Sequence, residues 1–138
     1  MSPNITLHFH HIGRPVALAA IKDHPDVRYS PLFDMYSLDQ HNALGLPIEL
    51  HAFGPDCTLH ELIQREPHVA FTTVDIERAL VGETILMPLY QPFKDYRCAM
   101  VLVSGQPVEL IETTLSESEI WGDGIFKDSL LYPENRRR

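Results

Sequence analysis

Four residues carry the chemistry this sequence can support: His11, Glu49, His68 and Glu109. His11 opens "HIGRPV" and His68 opens "HVAFTT", while Glu49 sits in "LPIELHAF" and Glu109 in "QPVELIET". The two histidines are 57 residues apart and the two glutamates 60. Imidazole nitrogen and carboxylate oxygen together suit divalent Zn, Ni, Co, Mn or Fe(II). Two neutral imidazoles and two carboxylates leave such an ion formally neutral and leave positions open for substrate oxygens. An ion so held can polarise a carbonyl and stabilise an enolate. Neither thiol is required. Cys57 and Cys98 lie 41 residues apart without a CxxC spacing, and they read as free thiols in a reducing compartment.

Taken singly, each residue has an ordinary explanation. A histidine in a strand is more often structural or solvent-facing than a ligand, and a strand glutamate commonly faces water. The recurrence is what lifts the set. Each half of the chain places a histidine before a short apolar strand and a helix-compatible segment. Later in each half comes the order Pro, β-branched residue, Glu, Leu. Matching "HIG" with "HVA" pairs His11 with His68 and leaves His10 opposite Pro67. Adjacent strand residues point to opposite faces, so at most one of His10 and His11 should look into a given site. His8 and His10 are assigned to the other face, with no role. Glu49 has a rival in His51, two residues on and on the same face. His51 matches Ile111 in the second half, which favours Glu49 but leaves His51 open as a ligand. A carboxylate inside an apolar strand demands a partner, whether or not that partner is a metal.

The elements that must position these residues form two copies of one module in one domain spanning 1–138. Module one covers about 5–54, a connector about 55–66, module two about 67–114 and a C-terminal tail 115–138. In the first module, residues 7–16 read as a strand and Ala17 to Lys22 as a short helix. "DHPDVRYSP" reads as loop, and "LFDMYSL" and "PIELHAF" read as strands about a turn. The second module predicts a strand over 68–74, a helix over 75–81 and strands near 84–90, 97–103 and 107–113. In the connector, Thr58 followed by Glu61 fits a capping box, with Pro67 ending the helix. The fold class is therefore α+β, the modules related by a pseudo-twofold so that their sheets enclose a cleft.

Composition narrows the function classes. The chain has 138 residues, 44% hydrophobic and 22% charged, an ordinary globular balance with enough length for a core. Nineteen acidic residues against eleven basic give a formal charge of −8, and the one basic cluster is Arg136 to Arg138. That argues against a nucleic-acid partner. No apolar run approaches a membrane span and no leader precedes the first strand, so no membrane role and a cytoplasmic location are expected. The tail carries a helix candidate at "SESEIWG" and the apolar "IFKDSLLY", a surface for a homodimer.

On the quoted motifs "HHIGRPV", "PHVAF" with "VDIERAL", "LPIELHAF" and "PVELIE", the chain resembles the vicinal oxygen chelate superfamily. That group includes glyoxalase I, methylmalonyl-CoA epimerase, extradiol dioxygenases and the fosfomycin and bleomycin resistance proteins. The resemblance covers roughly residues 5 to 114. It implies paired βαβββ modules whose sheets curl around a metal held by His11, Glu49, His68 and Glu109. It also implies that a carboxylate at or next to the metal, Glu109 or Glu49, shuttles a proton on a small oxygenated carbonyl or acyl substrate. The expected activity is then a metal-dependent isomerase, epimerase or lyase. The alternative is a metal-free protein of the bleomycin-resistance type that sequesters a ligand. Tyr29, Phe33, Met35, Tyr36, Phe93, Tyr96, Arg97 and Met100 are candidates for the pocket, with Arg97 as an anion partner.

Overall fold

A computed structural model of the chain describes residues 5–116 and Ile120. Trp121, "IFKDSLLY" and the arginine cluster lie outside the described residues, as does most of the predicted tail helix. The described chain is α+β and mostly strand. Eight strands form one mixed sheet: β1 (His8–Pro15), β2 (Arg28–Ser30), β3 (Met35–Gln40), β4 (Ile48–Phe53), β5 (His68–Thr72), β6 (Thr84–Phe93), β7 (Tyr96–Val103) and β8 (Gln106–Thr113). Three short helices connect them: α1 (Leu18–Ile21), α2 (Glu61–Arg65) and α3 (Ile76–Leu80).

The strand order across the sheet is β2-β3-β4-β1-β5-β8-β7-β6. At its centre β1 and β5 run antiparallel, and each has a parallel neighbour on its other side, β4 for β1 and β8 for β5. The outer strands continue antiparallel. The sheet curls into a half-barrel. Phe33, in the turn between β2 and β3 at one edge, packs edge-on against Tyr90 of β6 at the other, with ring centroids 5.7 Å apart.

Burial on both faces explains the apolar run Cys98–Val101 of β7. On the convex face, Ile76 and Ala79 of α3 pack on Ala99, Val101, Val108 and Leu110. Ile21 of α1 packs on Leu50 and Ala52. On the concave face, Cys98, Met100 and Ile111 meet Ile63 of α2 and Ile120. Ile76 and Ile111 are fully buried, and each contributes about 1.5–3 kcal/mol of transfer free energy.

The structure departs from the sequence reading at three local points. Arg28–Ser30, inside the stretch read as loop, is a strand pairing with Met35–Ser37, because its tight turn hides a three-residue edge strand. The connector helix is capped not by Thr58 but by His60, whose Nδ1 accepts from the Leu62 N–H at 3.1 Å. Most consequential is a bulge in β1. His8 and Phe9 oppose Thr72 and Phe71, but the next paired residue is His11 opposite Ala70, so His10 is extra. A bulge breaks the period-two alternation. His10 and His11 are both buried, at 7% and 4% exposure, and His10 leaves the face that alternation assigned to it.

Candidate metal centre

Strand register places the four predicted site residues on two rows across the middle of the sheet. In one row Ala70 of β5 stands between His11 of β1 and Glu109 of β8. In the other, Gly13 of β1 stands between Glu49 of β4 and His68 of β5. In each row a small residue separates the imidazole from the carboxylate, which leaves the space above it open to the functional groups.

Three of the four residues converge. His11 Nε2 and His68 Nε2 each lie 3.3 Å from the same oxygen, Glu109 Oε1. One donor atom from each residue lies within 4.8 Å of the others. The histidines are buried and the Glu109 side chain is 15% exposed. Two ligand atoms on one tetrahedral zinc stand about 3.3 Å apart when the bonds are about 2.0–2.1 Å, which is the spacing found here. The buried His68 Nε2, although near Glu109, has no aligned hydrogen-bond partner. Buried imidazole nitrogens are normally satisfied, and a metal ion would satisfy this one. The donor set therefore fits a divalent cation.

Glu49 is held beside this group, not within it. Its Oε1 lies 3.2 Å from His51 Nε2 and its Oε2 lies 4.0 Å from the Arg28 guanidinium. Arg28 is also bound to Asp39 at 3.2 Å. His51 is fixed from behind by Ser37 Oγ, 2.9 Å from its Nδ1. Its ring stacks on that of His68, with centroids 5.6 Å apart. Of the four predicted ligands, His11, His68 and Glu109 come together, while Glu49 and His51 form an adjacent pair.

Electrostatics follow from burial and proximity. Burial alone would raise the Glu109 pKa, but the two histidines beside it outweigh that and hold the carboxyl well below its usual range. Burial would lower the His11 pKa, yet Glu109 and Glu49 raise it overall. Glu49 is desolvated, but His51, His11 and Arg28 keep its pKa lowered. His51 goes the other way. Burial, joined by His68 and His11, pushes it down to about 4 despite Glu49, so it is neutral near pH 7.

These groups line a cleft of about 840 Å³, part of it open to solvent. Most of the remaining wall is apolar and includes Phe33, Phe53, Met87, Phe93, Tyr96 and Met100. Phe33, Met35, Phe93, Tyr96 and Met100 line it as predicted, whereas Tyr29, Tyr36 and Arg97 do not. Arg97 is turned away, bound to Glu112 and to Glu77. Sequence reasoning missed His10, Arg28 and Ser37. Period-two parity from His51 through the β3–β4 register singles out Ser37 once the pairing is known. Nothing in the composition marks Arg28 or the bulge.

No family model matches the chain, and no curated protein is similar to it in sequence.

Proposed function

We propose that this protein is a metal-dependent enzyme of the vicinal oxygen chelate type, acting on a small oxygenated carbonyl or acyl substrate by proton transfer. The observation that carries the reading is the convergence of one donor atom each from His11, His68 and Glu109 within 4.8 Å in the lining of a largely apolar cleft. The two-module repeat belongs to the same reading and has support in the register. "HIG" and "HVA" set Gly13 against Ala70, and these are the two spacers in the rows His68–Gly13–Glu49 and His11–Ala70–Glu109.

His11, His68 and Glu109 would hold the ion, which supplies Lewis-acid polarisation of a substrate oxygen. The chain supplies the rest. Glu49, outside the donor group and ionised by its neighbours, is the proton acceptor of choice. His51 faces one of its oxygens and Arg28 the other, and Ser37 fixes the His51 ring. Phe33 and Tyr90, in edge-on contact, add apolar surface to the cleft. Two imidazoles and one carboxylate are also the donor set of non-haem Fe(II) oxygenases, so Fe(II) belongs among the ions tested. The apolar wall favours a second reading, a protein that sequesters an apolar ligand without metal.

The test is metal analysis and calorimetric titration of chelator-stripped full-length protein with Zn(II), Ni(II), Co(II), Mn(II) and, anaerobically, Fe(II). Stoichiometric binding that disappears in His68→Ala supports the enzyme reading. No binding by any of the five leaves the metal-free ligand-binding reading in its place.

A further inference from the structure

The bulge in β1 brings two adjacent histidine rings to the same side of the strand. His10 and His11 are both buried, their rings meet at 74° with centroids 5.0 Å apart, and their Nδ1 atoms are hydrogen-bonded at 2.7 Å. At its far nitrogen, Nε2, His11 faces Glu109. A hydrogen bond between two Nδ1 atoms contains one proton, so one ring donates and the other accepts. When His11 carries its proton on Nε2, directed at Glu109, its Nδ1 can only accept and His10 must donate. When His11 offers the Nε2 lone pair to a metal, its proton sits on Nδ1 and His10 must accept, carrying its own proton on Nε2. Both arrangements hold two protons on two neutral rings. Imidazole can donate in one and accept in the other from the same position.

We propose that His10 is a positioning residue: through the Nδ1–Nδ1 hydrogen bond it sets which nitrogen of His11 faces the metal site, and it exchanges donor for acceptor role when the site fills. The proposal rests on the metal-binding reading of His11, His68 and Glu109. Metal-bound imidazoles are commonly oriented by a hydrogen bond at the second ring nitrogen, and loss of that partner typically weakens metal binding about 10–100-fold. Here the partner is the preceding residue in the chain, delivered by one inserted position in a strand.

The experiment uses full-length protein with ¹⁵N-labelled histidines at one fixed pH, first chelator-stripped and then loaded with Zn(II). Long-range ¹H–¹⁵N spectra identify the protonated nitrogen of each ring. Loaded protein should show His11 protonated at Nδ1 and His10 at Nε2, and stripped protein should show His10 protonated at Nδ1. Titration of His10→Phe should give Zn(II) affinity about 10–100-fold below wild type. His10→Asn, whose carboxamide can stand in for the Nδ1 partner, should recover part of the loss. A packing role would give the opposite order, with Phe retaining affinity. If wild type binds none of the five ions, the metal reading falls and this proposal with it; if it binds another of them and not Zn(II), that ion replaces Zn(II) in the affinity comparison. If wild type binds, but loaded His10 is protonated at Nδ1 or His10→Phe binds as tightly, this proposal alone is overturned. The tautomer measurement on wild type decides the matter even if the Phe variant does not fold.

Discussion

Gly13 of β1 and His68 of β5 occupy one space: a Cβ built on Gly13 would overlap Cε1, Nε2 and Nδ1 of the His68 ring. The two are paired across the central antiparallel seam, and the missing side chain on one strand is filled by the imidazole of the other. Gly13→Ala should therefore displace His68. The expected cost is about 1–3 kcal/mol of stability, as for overpacking a filled site, with a fall in metal affinity of about tenfold or more. Thermal unfolding and metal titration of the one variant measure both. Unchanged affinity would mean that His68 is not a ligand.

The three converging residues should separate from Glu49 in a binding assay. His68→Ala removes a donor atom and Glu109→Gln removes the anionic charge of another, and affinity should fall by more than the roughly 100-fold ceiling typical of outer-sphere changes. Glu49→Gln should stay within about tenfold of wild type, because Glu49 is engaged by His51 and Arg28. If Glu49→Gln binds as poorly as Glu109→Gln, the four-ligand arrangement is the correct one.

Metal should also stabilise the fold. An ion present at about 100 times its dissociation constant adds about 2.7 kcal/mol to unfolding stability if the unfolded chain does not bind it. The expected observation is a rise in Tm on adding Zn(II), its reversal by chelator, and no rise in His68→Ala. A shift of equal size in that variant would locate the binding elsewhere.

Glu112 offers a pH-dependent contribution away from this centre. Its side chain is partly desolvated, which raises its pKa, but it accepts from the Ile76 N–H at 3.0 Å and from Arg97, and the net shift is downward. A carboxyl whose folded pKa lies below the unfolded value of 4.5 stabilises above that value and loses the contribution as pH falls through the folded pKa. Glu112→Gln should thus be less stable than wild type near pH 7, with the gap closing as pH drops below 4.5. Denaturant midpoints at pH 7, 4.5 and 3 give the comparison. A gap that does not vary with pH would show that charge at Glu112 plays no part.

How far the sequence reached can be read from particular residues. The strands over His68–Thr72 and Gln106–Thr113 and the helix at Ile76–Leu80 were legible because their apolar periodicity and turn residues agree with one another. His11, His68 and Glu109 were legible because they recur in order. His10 was not, since its burial depends on a bulge, and a bulge is fixed by pairing between strands far apart in sequence. Arg28 was hidden in a stretch whose Pro and Asp content reads as loop. Arg97 reads in the sequence as an anion partner because the glutamates that neutralise it, Glu77 and Glu112, become neighbours only after the helix and β8 pack together.

The seam between β1 and β5 has a consequence for how the centre comes into being. His11 comes from one side of that seam, and His68 and Glu109 from the other. Neither stretch of chain, residues up to Phe53 or residues from Glu61, holds all three donors. The binding site should therefore be absent from any intermediate in which only one stretch is ordered, and should appear at the step where strands about 60 residues apart close on each other. Such long-range closure is slow in folding. An ion captured there would act as a latch on the last joint to form, and its release in stopped-flow unfolding would time the first joint to open.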